Sequence, residues 1–524
     1  MTVSRILSFI FVFFEGLGKL WKARFYITEA FFSPPSGKIN KNKEDGTVKK
    51  NRLKKRSWGV RIPFKASLWY TASGFITKLI GLISTPIFTR LMSEEEYALF
   101  PLFLSFIAVL APICAQDAST TATLGGLQHF EGKREEFLKA AMGFGAASVF
   151  AVFVAFSIVF PFISGLSALP DISLVGLIFL QLFCDAINHV FLAGGRYSYR
   201  YVPVFFYTIA SSALSFSLSL ILLRYTSLGG IGRVFGLLIP SAVFAAISLC
   251  RAAKKSGRFF SAEAWRYLIK TSLPLIPINT LGALLSTADR LMISSFYGRA
   301  AFAKYSVAHS LGAAISFISA ALGLAMRPWI LRKLAAGCGE RAKRAADAAV
   351  PILCALALFS VAVSPELMMI LAPSGYSEAL FAVFPIALSI IPSFLSGVLS
   401  IRAAYVGRCG RTVLPTLICA VGSIAANAFL MRRFPYTAAS LSSLVFSVIA
   451  MLLNFAICKR QIGEPFSPRR AVFFLSVSFA IGFFLIYMRD FPLLRTIWAA
   501  ILLLLSLPFC KAGYELIKEK DCRV

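Results

Sequence analysis

The chain has 524 residues, 58% of them hydrophobic and 15% charged, with 54 Lys and Arg against 24 Asp and Glu for a net charge of +30. A soluble protein of this length could not bury so much apolar surface in compact domains, and the mean hydropathy of +0.75 excludes that class. The positive charge lies in short connections between apolar stretches rather than on one patch, which speaks for orientation in a lipid bilayer and against nucleic acid as a partner.

Residues 1–66 precede the first span. An apolar run at 6–14 is interrupted by Glu15 and is too short to cross a bilayer; a polar stretch at 33–46 and a basic run at 49–65 follow. The expectation is a surface-lying amphipathic segment with a disordered basic linker, or an extension from an upstream start codon. A small-residue cleavage site, as a signal peptide would need, does not follow closely.

Apolar stretches of about 20 residues then predict spans at 67–89, 99–121, 140–163, 172–194, 202–223, 229–250, 272–296, 303–326, 347–372, 380–401, 412–431, 437–458, 471–488 and 494–513. Lys and Arg collect in every second gap, among them Lys133/Arg134, Arg196/Arg200, Lys254/Lys255/Arg258, Arg327/Arg332/Lys333, Arg402/Arg408/Arg411 and Lys459/Arg460. The gap at 163–171 has none, so both termini are expected on the cytoplasmic side. The predicted fold class is an all-α polytopic membrane protein of about 14 transmembrane helices. It comprises a basic N-terminal segment (1–66), a six-helix lobe (67–250), a cytoplasmic linker (251–271), a second six-helix lobe (272–458), and two further helices with a tail (459–524).

The division into two lobes rests on an internal repeat. A long span, a short outer turn and Tyr97-Ala98-Leu99 recur six spans later as a long span, a turn and Tyr305-Ser306-Val307. An even number of spans preserves orientation, which relates the halves by an axis along the membrane normal and puts a substrate site between them near the midplane. The ten cysteines are scattered singly, several within spans (Cys114, Cys184, Cys354, Cys419), with no CxxC pair and no histidine at ligand spacing. They read as small buried hydrophobes, and no metal site is expected. No GxxxxGK[ST] phosphate loop occurs, so no nucleotide-driven pump is expected.

Three blocks carry a resemblance. Pro86-Ile87-Phe88-Thr89-Arg90-Leu91-Met92-Ser93-Glu94-Glu95-Glu96-Tyr97 resembles the first-span signature of the oligosaccharide flippases, the polysaccharide transporter branch of the MOP superfamily. Asp289-Arg290-Leu291-Met292-Ile293, with Phe296-Tyr297-Gly298 and Tyr305-Ser306-Val307-Ala308, is similar to the family's seventh-span signature, and Gly375-Tyr376 with Ala379 to the turn before its tenth span. The resemblance covers about residues 60–460. Two departures stand out: Ala98 where a glycine is common, and Thr120, Thr121 and Thr123 where relatives often carry an arginine. The resemblance implies two six-helix lobes around a central cavity in a bacterial cytoplasmic membrane. It implies a non-enzymatic flippase for polyprenyl-pyrophosphate-linked oligosaccharide in O-antigen, capsule or exopolysaccharide assembly, with a polysaccharide polymerase as a candidate partner. The alternatives are a peptidoglycan lipid-precursor flippase and a drug/cation antiporter of the same superfamily.

Such a cargo carries sugars and a pyrophosphate through hydrocarbon, which calls for a hydrated cavity with cations. Charges inside spans cost at least a few kcal/mol and therefore face a cavity or a partner. Lys78, Arg90 and Arg290 are the candidate substrate cations; for Arg90 the competing reading is an anchor capping its own helix. Asp117, Asp185, Asp289 and His309 are the candidates for gating or for a coupling proton or sodium ion, against structural pairing between helices. Asp289 and Arg290 point about 100° apart, so one of them is expected to face the cavity. Arg233 and Lys304 read as outer anchors, and Trp69, Tyr70 and Trp329 as interfacial belts.

Overall fold

The computed structural model describes residues 48–115, 122–163, 172–254, 257–273, 275–335, 337–405, 413–488 and 491–518. Among these every regular element is a helix. That is the only open structure compatible with lipid, because helices satisfy their backbone hydrogen bonds internally. The first half comprises α1 (Val48–Leu91), α2 (Glu94–Ile113), the short α3 (Thr123–His129), α4 (Arg134–Ile163), α5 (Ile172–Tyr197), α6 (Tyr201–Tyr225) and α7 (Gly229–Ala253). A connecting helix α8 (Ala262–Ser272) leads to the second half: α9 (Leu275–Gly312), α10 (Ser316–Ala335), α11 (Gly339–Leu371), α12 (Val383–Tyr405), α13 (Val413–Leu430) and α14 (Ala439–Ile462). Helices α15 (Pro468–Tyr487) and α16 (Pro492–Lys518) end the chain.

Twelve of these stretches are long and apolar enough to cross a membrane. One of them, Leu275–Gly323, is 49 residues long and holds two of the expected spans, and the shorter apolar helix Leu414–Leu430 coincides with the expected eleventh. Within α9 the backbone leaves helical geometry at Gly298 (φ 81°), a conformation open to glycine because it has no Cβ. The chain folds back there: Tyr305 donates to Asp289 at 2.6 Å, whereas sixteen residues along a straight helix would separate them by about 24 Å.

Several boundaries differ from expectation. The basic run at 49–65 is not a disordered linker but part of the 44-residue α1, because Lys, Arg and Leu are good helix formers and a span already nucleated extends through them. The second span ends early, at Ile113, one residue after Pro112. The eighth span is interrupted by a 3-10 turn, Ala313–Ile315, beside Gly312, where an added Cβ would sit 2.8 Å from the Val383 carbonyl oxygen. The expected linker contains α8.

Each half has its own apolar core. Phe103, Ile178, Leu182 and Val234 centre the first, and Leu353, Phe384, Leu388 and Met451 the second. A third cluster joins the halves at the end marked by Met92, Tyr97, Tyr305 and Tyr376, and it forms a seal between them. Local chemistry positions it. Ser93 and Glu96 cap the start of α2 reciprocally, the Ser93 N–H reaching Glu96 at 3.1 Å and the Glu96 N–H reaching Ser93 at 3.3 Å. That turn aims Tyr97 at Tyr376, ring centroids 6.3 Å apart and edge on.

Helix crossings inside the halves rely on small residues. At Gly236 of α7, a Cβ would come within 2.6 Å of the Ser219 backbone of α6. Gly236→Val should therefore overpack this crossing and cost about 1–3 kcal/mol or more, read as a lower thermal midpoint of the purified protein. An unchanged midpoint would mean that the two helices do not cross at this separation.

Candidate functional site

The charged residues inside the spans do not form one site. The structure brings together Lys78 on α1 with Asp289, Arg290 and His309 on the two legs of α9. Lys78 lies on the α1 face that also carries Phe75 and Leu82. Phe75 meets Phe317 of the second half, ring centroids 5.3 Å apart, and Leu82 packs into the seal cluster. Lys78 is exposed between them, so its accessible surface opens on the space between the halves.

The facing surface of α9 is open too. Gly282, Ser286 and Arg290 follow one another at four-residue spacing, and a Cβ on Gly282 would meet no atom within 4 Å. Arg290 sits beside that space, one guanidinium nitrogen 3.5 Å from the Ser286 carbonyl and the buried Nε without a hydrogen-bond partner. Asp289 points the other way. It is 3% exposed and accepts hydrogen bonds from Tyr305 at 2.6 Å and from the Arg290 backbone N–H at 2.8 Å. His309 is partly buried, its ring 6.4 Å from that of Tyr305, within electrostatic reach of both Arg290 and Lys78.

The two cations lie at different depths below the seal. At 1.5 Å per residue, Lys78 lies about 20 Å from the end of α1 at Leu91, and Arg290 about 12 Å from the Gly298 turn. The two cations come from different halves, beneath the seal.

The other predicted residues lie elsewhere. Arg90 is at the seal: it donates to the Pro86 carbonyl of its own helix at 3.0 Å and to the Met369 carbonyl of α11 at 3.3 Å. Next to it the Thr89 hydroxyl donates to the Leu371 carbonyl at 2.7 Å, a buried bond between the halves. Asp185 belongs to a polar cluster inside the first half. It accepts from Gln181 at 2.8 Å and from Ser241 at 3.3 Å, while Asn188 donates to the Ser241 carbonyl at 3.0 Å and accepts from Tyr207 at 2.7 Å. Asp117 lies outside the described residues, as do Thr120 and Thr121.

Sequence reasoning missed two cations at the sealed end. Lys304 is not a lone anchor: it bridges Glu94 of the first half at 3.7 Å and Glu378 of the second at 3.0 Å. The acidic run Glu94-Glu95-Glu96 at the same end was the available signal. Arg233 is not interfacial either. It is 6% exposed, and its guanidinium lies 4.2 Å from the ring centres of Phe88 and Phe100 and 5.0 Å from that of Tyr97. Rings from two other helices assemble that cage, and no local pattern announces it.

The profile of the polysaccharide biosynthesis protein family matches residues 64–333, a little over half of the chain. Among solved structures, the lipid II flippase MurJ in an inward closed conformation aligns with a TM-score of 0.60 and 16% identity, over 86% of this chain and 99% of that one. An inward-facing multidrug resistance MATE family transporter of the MOP superfamily gives 0.53 and 14% identity, over 74% of this chain and 94% of that one. An outward-facing one gives 0.52 and 14%, over 76% and 95%. No curated protein matches the chain. At these identities the structural likeness establishes the fold alone, and the family match goes further: this multi-pass membrane protein belongs to the polysaccharide biosynthesis protein family.

Proposed function

We propose that the protein is a flippase that moves polyprenyl-pyrophosphate-linked oligosaccharide from the cytoplasmic to the outer leaflet of a bacterial cytoplasmic membrane. It serves O-antigen, capsule or exopolysaccharide assembly, with both termini cytoplasmic and a polymerase acting on the delivered glycan. The observation that carries this reading is the pairing of Lys78 and Arg290, one from each half, on the space beneath the seal. A pyrophosphate bears charge on two phosphoryl groups, and cations on opposite walls can each take one. The halves then alternate: cargo enters from the basic end while the seal is closed, and leaves when the Thr89, Arg90 and Lys304 bridges between the halves part.

This is transport without covalent chemistry. Asp289 and His309, next to the substrate cations, and Asp185 in the first half are the groups proposed to bind a coupling proton or sodium ion. A second reading, a flippase for a peptidoglycan lipid precursor, is favoured by the likeness to the lipid II flippase structure. The two readings share the pyrophosphate and differ in the sugar. Depleting the protein and identifying the lipid that accumulates on the cytoplasmic side by mass spectrometry separates them. An unchanged lipid pool with unchanged glycan export would sink both.

Three outcomes are expected. Lys78→Ala and Arg290→Ala should each remove a charge-assisted contact of about 1.5–3 kcal/mol, lowering transport about 10- to 150-fold while insertion stays normal; normal export by both variants would refute the cationic cavity. A Thr89→Cys/Leu371→Cys pair should cross-link on oxidation, stop export and release it on reduction. Export by the cross-linked protein would show that the seal is not a gate. Asp289→Asn should abolish dependence on the coupling gradient if Asp289 binds the ion, and retained dependence assigns that role to Asp185 or His309.

A further inference from the structure

The connecting helix α8 has three faces. Ala264, Leu268 and Ser272 are buried, and α8 is pinned to the first half by the Trp265 indole N–H, which lies 3.1 Å from the Ala140 carbonyl, and by Tyr267 stacked on His129 with ring centroids 5.3 Å apart. On the outer side, Ile269 (48% exposed) and Leu273 (62%) lie about 40° apart around the axis, with Phe260 (64%) just before the helix. Arg266, about 60° from Ile269, and Lys270, about 100° from it, form the next strip, and both are exposed.

Ile269 on the helix, Phe260 just before it and Leu273 just after it leave three large apolar side chains exposed around one outer face, more than a face meeting only water would be expected to carry. Nor are the cations neutralised: among the described residues neither Arg266 nor Lys270 forms an ion pair. The strips border one groove of about 420 Å³ lined by Phe260, Ala262, Trp265, Arg266, Ile269 and Lys270. Its floor is apolar and its rim is cationic. Helix α8 follows α7 at the end of the spans where the basic gaps gather, and the chain turns from it directly into α9, so the groove lies level with a membrane surface.

We propose that this groove binds an anionic phospholipid, its phosphate on Arg266 and Lys270 and an acyl chain along Phe260, Trp265 and Ile269. Orientation by positive charge explains the basic residues alone; it does not explain the exposed apolar strip beside them or the groove between the two. Because α8 is fixed to the first half and runs into α9 of the second, the bound lipid bears on the one segment that connects the moving halves.

The test uses the full chain in nanodiscs of mixed phosphatidylcholine and phosphatidylglycerol. A photoreactive benzoylphenylalanine replaces Ile269, and the cross-linked species is identified by mass spectrometry. The expected adduct is phosphatidylglycerol, enriched over its share of the bilayer. Arg266→Gln/Lys270→Gln should weaken that preference about 30-fold, roughly fivefold per cation, and Arg266→Lys/Lys270→Arg should restore it. Should the double variant misfold, Phe260→Ala tests the same groove through a ring that is 64% exposed and meets Trp265 at its edge, and it should lower adduct yield while leaving the fold intact. A polypeptide adduct, no preference for the anionic lipid, or loss of the adduct when inorganic phosphate is present before irradiation would each overturn the proposal.

Discussion

The cost of placing a charge in hydrocarbon governs where every ionisable side chain of the spans sits, and the structure meets it in four ways. Asp289 is enclosed and held by a tyrosine hydroxyl and a backbone N–H. Arg233 is desolvated against three aromatic rings, each contact worth about 0.5–2 kcal/mol. Arg495 of α16, 1% exposed, pairs with Glu366 of α11. Lys78 is exposed on the α1 face turned to the second half, and Arg290, which shares the field of the adjacent Asp289, has its buried Nε without a hydrogen-bond partner. The first three solutions hold helices together.

The hairpin of α9 ties the seal to that site. One leg carries Asp289 and Arg290 and the other Lys304, Tyr305 and His309, with Gly298 at the bend. Tyr305 belongs to the seal cluster through its ring and to Asp289 through its hydroxyl, so the closed seal and the orientation of Asp289 depend on the same side chain. A change in the pairing of Asp289 reaches the seal within one side chain, without a longer path of coupled residues. Arg290 is turned toward the open side because its neighbour is turned inward.

Much of this was legible in the sequence. The repeat centred on Tyr97 and Tyr305 located two of the aromatic residues that pack the halves together, and the 100° offset between adjacent helical residues is consistent with a buried Asp289 beside a partly exposed Arg290. In-span position singled out Lys78 and His309. What was illegible depends on partners distant along the chain. The cage of Arg233 needs Phe88, Tyr97 and Phe100 from two other helices, and the bridging role of Lys304 needs Glu378, 74 residues away. The groove on α8 was hidden because its mixed apolar and basic composition resembles an ordinary connection until burial shows which face is free.

The last two helices belong to the second half. Glu464 pairs with Lys343 of α11 at 2.8 Å, and the Ser467 backbone and hydroxyl donate to Asp347 of the same helix at 2.7 and 2.6 Å. At the far end of α11, Glu366 takes Arg495. The ties at Lys343 and Glu366 are 23 residues apart, about 35 Å of helix axis, so α15 and α16 are held along nearly the whole length of α11. The charged contacts between the halves are of another kind, Arg90 on a carbonyl and Lys304 between two carboxylates at a rim where water can replace either partner at little cost, whereas the Thr89 hydrogen bond to the Leu371 carbonyl beside them is buried. Breakage therefore falls along the seal rather than between the second half and its appended helices.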